Sequence, residues 1–363
     1  MSHDALEAVL PAVSRQVPRV SLGEWPTPIE PLAVSGLQGL HFVKREDKSA
    51  ALYGGNKVRC LETVFGAAKA DGIARVWAMG AYGSNQAVAI ATHAPTVGLA
   101  TGALLFPQPA TETAQANLRA LATTTCELRL TSSILTFPIG VWAVSRHCRR
   151  SGERIIPPGA ATPLGALGHV GAALEVAQDV ENSVLPAPAH VVLPVGSTCT
   201  SAGLLVGFAV AAAMGLGFSG EGPWVHAVRI SPWPVTARFR ILGLALRTAA
   251  MLRDLGGPDV VDVLRRSPRL RTSGGLTGGG YGCPTKEGIA AKARFAEGGA
   301  PGLDTTYSAK AAAYLLSGFQ VDGPVLFWST KSSAPLAAPT AAQLGSLPPR
   351  GQRWLARAPL LLR

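Results

Sequence analysis

The chain has no CxxC pair, and its five cysteines, Cys60, Cys126, Cys148, Cys199 and Cys283, are odd in number. That argues against a disulfide framework and a spaced zinc site, and for reduced thiols in a cytoplasm. No basic stretch followed by an apolar core opens the sequence, so no secretory signal is visible. The apolar run from Gly203 to Phe218 falls short of the roughly 20 residues a membrane span needs and reads as a buried helix. Charge is sparse, at 15% of residues against 47% hydrophobic, which describes a compact globular protein and excludes a disordered one. No internal repeat is present. Acidic residues are the scarcer sign, 22 against 33 Lys and Arg, for a net charge of +11. A basic excess can mark a nucleic-acid binder. Here the arginines are spread over Arg146 to Arg150, Arg265 to Arg271 and the C-terminus, with no interleaved aromatic platform. They are read as surface decoration that also attracts small anionic ligands, with no nucleic acid, membrane or metal expected.

Glycine and proline are plentiful, 41 and 28 in 363 residues, enough chain for one large or two ordinary domains. Short apolar runs alternate with helical stretches, which predicts an α/β fold of mostly parallel, twisted sheets flanked by helices. Strands are predicted near His41–Lys44, Val76–Met79, Ala103–Phe106, Val191–Pro194, Val225–Ile230 and Val325–Trp328. Helices are predicted at Val58–Ala70, Gln86–His93, Glu112–Leu121, Leu167–Glu181, Ser201–Met214, Ala237–Leu255, Lys286–Glu297 and Ser308–Leu316.

The most informative local feature is Lys57. It follows Gly54, Gly55 and Asn56 and opens an apolar-periodic segment (Val58, Leu61, Val64, Phe65). Asn56 suits a helix N-cap, and the glycines let the backbone approach a flat ligand closely. A lysine so placed could carry a Schiff base with an aldehyde cofactor once burial lowers its pKa. Taken alone, the same residues also suit the first turn of an ordinary helix. Two further stretches, Gly83–Gln86 and Gly196–Gly203, each join an apolar strand to a helix. Open main-chain N–H groups and the helix dipole make such junctions anion sites.

Lys44-Arg45-Glu46-Asp47, Tyr53-Gly54-Gly55-Asn56-Lys57, Gly83-Ser84-Asn85-Gln86, Pro163-Leu164-Gly165, Gly196 to Leu204, Tyr281-Gly282 and Leu303 to Lys310 come in one order and register. Together, from about Gly23 to Ser332, they resemble the pyridoxal-phosphate enzymes of fold type II, the tryptophan synthase beta-like architecture. The nearest branch holds D-cysteine desulfhydrase and 1-aminocyclopropane-1-carboxylate (ACC) deaminase. The resemblance implies two α/β domains with pyridoxal 5'-phosphate between them. The large domain would hold residues 1–59 plus 179–363 and the small one 60–178, with 333–363 an open question. It also implies a homodimer and a small amino-acid substrate.

By the same resemblance, Lys57 holds the cofactor and then acts as the base at Cα. Gly196, Ser197, Thr198, Cys199 and Thr200 bind the phosphate, with Ser201 able to add a hydroxyl. Asn85 meets the ring oxygen and Thr330 the pyridine nitrogen. Ser84, Asn85 and Gln86 hold the substrate carboxylate, and Ser84, Tyr281 and Tyr307 count as catalytic, the tyrosines managing protons. The chain departs from the family at Thr198 and Cys199, at Lys331 and Ser332 in place of glycines, and at Gly159–Thr162, where a serine is expected. Ser308 stands where ACC deaminases carry glutamate, which favours thiol elimination; Gln86 matches ACC deaminases and points the other way. The expected function is therefore D-cysteine desulfhydrase-like α,β-elimination. ACC deamination is the first alternative, and a catalytically inactive binding protein the second.

Overall fold

The computed structural model describes residues 4–319 and 321–360. Among them ten strands form two sheets: β1 (Ile29–Pro31), β2 (His41–Lys44), β3 (Arg75–Ala81), β4 (Ala100–Phe106), β5 (Glu127–Leu130), β6 (Arg154–Ile156), β7 (His190–Val195), β8 (Trp224–Arg229), β9 (Leu270–Ser273) and β10 (Val325–Trp328). The larger sheet runs β1-β2-β10-β7-β8-β9, and the smaller runs β5-β4-β3-β6. Every pairing is parallel except β1 with β2. Parallel strands are covered on both faces, so interior ones read as continuous apolar runs. β7 and β10 are accordingly buried at every position.

Strand alternation divides the large core in two. Val191, Leu193, Val225 and Ala227 face the helices Pro163–Glu181 and Cys199–Ala213. Val192, Val228 and Phe327 face the helices Lys286–Glu297 and Ser308–Leu316. In the smaller sheet Val76, Ala78, Ala103 and Leu105 pack under the helices Lys57–Ala70, Asn85–His93 and Glu112–Ala122. Residue 178, the expected domain border, falls inside Pro163–Glu181, whose Leu167, Val170 and Leu174 belong to the large core.

The stretch Lys44–Asp47 is structural. Lys44 Nζ donates to Glu175 Oε2 at 2.8 Å, and Arg59 reaches both Glu46 (2.6 and 2.7 Å) and Glu175 (2.7 and 2.8 Å). All four side chains are buried. Burial alone would raise the Glu175 carboxyl, but Arg59 and Lys44 hold it down at about 2. The cluster clamps the lysine helix, Lys57–Ala70, to the helix Pro163–Glu181.

The C-terminal segment is docked. Its helix Pro349–Leu355 seats Trp354 in the core over the smaller sheet, 2% exposed, edge-on to Tyr82. Chain that follows the larger sheet thus returns to the smaller one. The basic clusters also find ordinary places: Arg149 and Arg150 sit in the last turn of Phe137–Ser151, and Arg269 and Arg271 lie over the Trp224 ring. Positive charge at a helix C-terminus complements the dipole.

Candidate active site

The two anion-type junctions lie at the C-terminal ends of β3 and β7, the side of a parallel sheet where ligands bind. Lys57, partly buried, is the first residue of its helix. Two bonds pin its loop to the end of β10: Asn56 N to Thr330 O (3.1 Å), part of an antiparallel bridge between Gly55 and Lys331, and Gly54 N to Ser332 Oγ (2.9 Å). Gly55 has φ +94°, and a Cβ there would come within 2.7 Å of Thr330 O, so glycine is required. Asn56 stands at the cap position, but its side chain does not cap. It donates instead to Thr200 Oγ1 at 2.8 Å, joining the lysine loop to the helix Cys199–Ala213.

At the β7 junction, Thr198 occupies the cap position of that helix and no side chain bonds its first-turn N–H groups. The open amides are intrinsic to a helix start. The hydroxyls are less free than expected. Thr200 is committed to Asn56 and to His169, and Ser201 Oγ donates to Thr198 O at 3.2 Å. Ser197 is pressed against Gly159, where a Cβ would collide with its hydroxyl. The Cys199 thiol turns away to Ala160 O at 3.2 Å. Anion binding here falls mainly to main-chain N–H groups. No Cβ fits at Gly196, where one would lie 2.7 Å from the Tyr307 ring.

The β3 junction is wired differently. Ser84 caps the helix Asn85–His93, its Oγ accepting from Ala87 N at 3.2 Å. Asn85 Oδ1 accepts from Asn117 Nδ2 at 2.6 Å and from the Tyr53 hydroxyl at 3.3 Å, so its NH2 remains as a donor. For Gln86 the structure corrects the side-chain role. Its Nε2 donates to Pro157 O at 2.9 Å and its Oε1 accepts from Gly159 N, leaving only its main-chain N–H for a substrate.

Tyr281 and Tyr307 share a hydrogen bond between their hydroxyls. Burial raises both phenols, Tyr307 further because Tyr281 and Asp304 add to it, so both stay protonated at neutral pH. Ser308, weighed above for its missing carboxylate, is fully buried and donates to Asp304 Oδ1 at 2.8 Å. Asp304 also takes the main-chain N–H groups of Thr306, Tyr307 and Ser308. A carboxylate is therefore present beside the tyrosines, saturated with donors. Sequence reasoning missed Asp304, Tyr53, Asn117 and the Lys331 side chain, whose Nζ lies 3.4 Å from the Tyr53 hydroxyl. Asp304 had a signal, as an aspartate just before a helix; Tyr53 had its place beside the two glycines. Asn117 had none.

A lysine, an uncapped helix N-terminus and an asparagine with a spare donor suit an aldehyde, a phosphate and a ring oxygen. The side chains present fit pyridoxal phosphate. The model of the pyridoxal-phosphate dependent enzyme family matches residues 20–330. The chain belongs to that family. Its cofactor is pyridoxal phosphate. It is 35% identical over 330 residues to nocardicin C-9' epimerase of Nocardia uniformis subsp. tsuyamanensis, covering 87% of this chain and 93% of that one. It is 29% identical over 334 residues to D-cysteine desulfhydrase of Klebsiella pneumoniae, covering 88% and 96%. In fold it matches the crystal structure of an ACC deaminase homologue with TM-score 0.72 and 24% identity, covering 91% of this chain and 95% of that one. Among the described residues no helix is long and apolar enough to cross a membrane.

Proposed function

We propose that this enzyme catalyses α,β-elimination on a small amino acid, releasing a 2-oxo acid and ammonia in the manner of a D-cysteine desulfhydrase. The observation that carries the reading is the hydroxyl pair Tyr281–Tyr307 beside Gly196, a proton source separate from Lys57. Lys57, Asn85, the Gly196–Thr200 amides and Thr330 would hold the cofactor. When bound, pyridoxal phosphate supplies the electron sink that makes a Cα–H bond acidic. The main-chain N–H groups of Asn85 and Gln86, with the Ser84 hydroxyl, bind the substrate carboxylate at a helix start. Lys57 Nζ takes the Cα proton. The tyrosine pair donates a proton to the departing β-substituent, a thiolate in the case of cysteine. Water then supplies the 2-oxo oxygen as ammonia leaves.

Lys57→Ala beside wild type tests this. With added pyridoxal phosphate, wild type should show a visible lysine–cofactor band and release 2-oxo acid from D-cysteine or β-chloro-D-alanine. The variant should lose the band and at least about a thousandfold in rate. A band without product from either compound excludes that substrate class, and 2-oxobutyrate from ACC would identify the deaminase instead. No band in either protein would bring the inactive binding protein forward.

Epimerisation is a second reading, favoured by the identity to the Nocardia epimerase and by the same tyrosine pair, since inversion at a carbon needs a proton donor distinct from the base. Deuterium incorporation with inversion, on an amino acid lacking a leaving group, in heavy water would separate it from elimination.

A further inference from the structure

We infer that Gln108 is a positioning residue that joins the carboxylate-binding loop to the Tyr281 loop across the cleft, and that the C-terminal segment holds it there. The inference rests on the proposed amino-acid site for its kinetic consequence, and on geometry for the rest.

Gln108 lies just past β4, at the ligand end of the small sheet, and is 8% exposed. Its Oε1 accepts from Gly83 N at 3.2 Å, one residue before Ser84. The other end of the same carboxamide faces the large domain. A Cβ on Gly282 would stand 2.8 Å from Gln108 Nε2, and φ there is +82°. Gly282 follows Tyr281 directly, in a stretch with glycine at 278, 279, 280 and 282. Such a segment has little side-chain packing of its own to fix the tyrosine, because glycine contributes none and leaves the backbone free. One buried amide therefore touches the two loops that the proposed reaction needs in register.

The main chain around Gln108 is gripped by residues beyond the family match, which ends at 330. Trp354 Nε1 donates to Gln108 O at 2.8 Å, and Leu360 N donates to Ala110 O at 2.6 Å. Gln115 Nε2 donates to Arg357 O at 2.9 Å and to Leu355 O at 3.3 Å. The Trp354 ring meets Tyr82, the neighbour of Gly83, at a centroid distance of 5.4 Å and 88° between planes. The tail thus acts on the substrate loop by two routes, one through the Gln108 carbonyl and one through Tyr82.

The test compares Gln108→Met, which keeps length and loses both polar ends, and Trp354→Phe, which keeps a ring and loses the N–H, with wild type. All are the cofactor-loaded full chain. Hydrogen exchange is followed in the segments containing Gly83 and Tyr281. In Gln108→Met the Gly83 segment should exchange about tenfold faster, the scale of one lost neutral hydrogen bond, and the Tyr281 segment, which loses only the packing of the carboxamide, a few-fold faster, with a smaller rise in Trp354→Phe. KM for the amino acid that wild type turns over should rise about tenfold in Gln108→Met, more than kcat falls. Gln108→Glu keeps the acceptor for Gly83 and should leave that segment alone near wild type. A purely structural role would lower the melting temperature and the active fraction while leaving KM and the exchange pattern as they are, which overturns the proposal. Faster exchange at Gly83 without a change at Tyr281 overturns the bridge across the cleft. If wild type turns over no amino acid, the lyase reading fails, and exchange alone decides this one.

Discussion

The junction after β3 and the junction after β7 both lead from a parallel strand into a helix, but only the first has a side chain on its helix's open N–H groups. Ser84 bonds Ala87 N, and Gln108 takes Gly83 N. At the β7 junction Thr198 caps nothing, and the neighbouring hydroxyls point to protein partners. A helix start left uncapped carries its full complement of amides and dipole to a ligand, whereas a capped one has part of that field already answered. The uncapped start suits a phosphate dianion and the capped one a single carboxylate. Electrostatics thus separates two sites that a strand–turn–helix pattern makes look alike.

The comparison breaks most sharply by capping the uncapped start. Thr198→Asp places a carboxylate where the phosphate belongs, and pyridoxal phosphate affinity should fall about a hundredfold while the cofactor-free protein melts no lower. Affinity equal to wild type in a spectral titration would mean that the phosphate binds elsewhere.

An intermediate effect comes from the ion cluster beneath both junctions. Glu175 bonds Arg59 on the lysine helix and Lys44 on β2, and its own helix packs on the helix Cys199–Ala213. Its folded value of about 2 lies below the 4.5 of a free glutamate. The stabilisation it contributes is therefore complete above about pH 4.5 and is lost as pH falls toward about 2, on the order of 3 kcal/mol. Glu175→Gln should flatten that acid limb in denaturant titrations and destabilise the protein at neutral pH; an unchanged limb would assign the acid loss to other carboxylates.

The smallest effect belongs to the capped start. Ser84→Ala removes one cap, so about 1 kcal/mol of stability should go, with KM rising only a few-fold and cofactor affinity unaltered. A change in cofactor affinity as large as that of Thr198→Asp would erase the distinction between the two junctions.

The strands read from sequence, β2, β3, β4, β7, β8 and β10, are all interior to their sheets, and the four that went unread, β1, β5, β6 and β9, are all edges. An interior parallel strand is buried on both faces and so is mostly apolar, with a charge such as Lys44 admitted only where a partner meets it, and its composition betrays it. An edge strand such as Glu127–Leu130 or Arg154–Ile156 carries charge and is half exposed, and only its neighbour makes it a strand. The helix Phe137–Ser151 also went unread, with apolar Ile139 and Trp142 exposed and its end dense in arginine.

The site divides along the same line. Lys57 at a helix start, the two strand–turn–helix junctions, and the order of motifs that marks a pyridoxal-phosphate enzyme are local or collinear, so the amino-acid order alone determined them. Which donors remain free there was decided by partners far away in the chain. Gln86 is claimed by Pro157 and Gly159, Asn56 by Thr200, and the Gln108 side chain by Gly83. A hydrogen-bonding side chain looks available in a sequence because its competitors lie 25 to 144 residues off; only packing brings them within hydrogen-bonding distance, and there a buried polar group takes whichever partner is near.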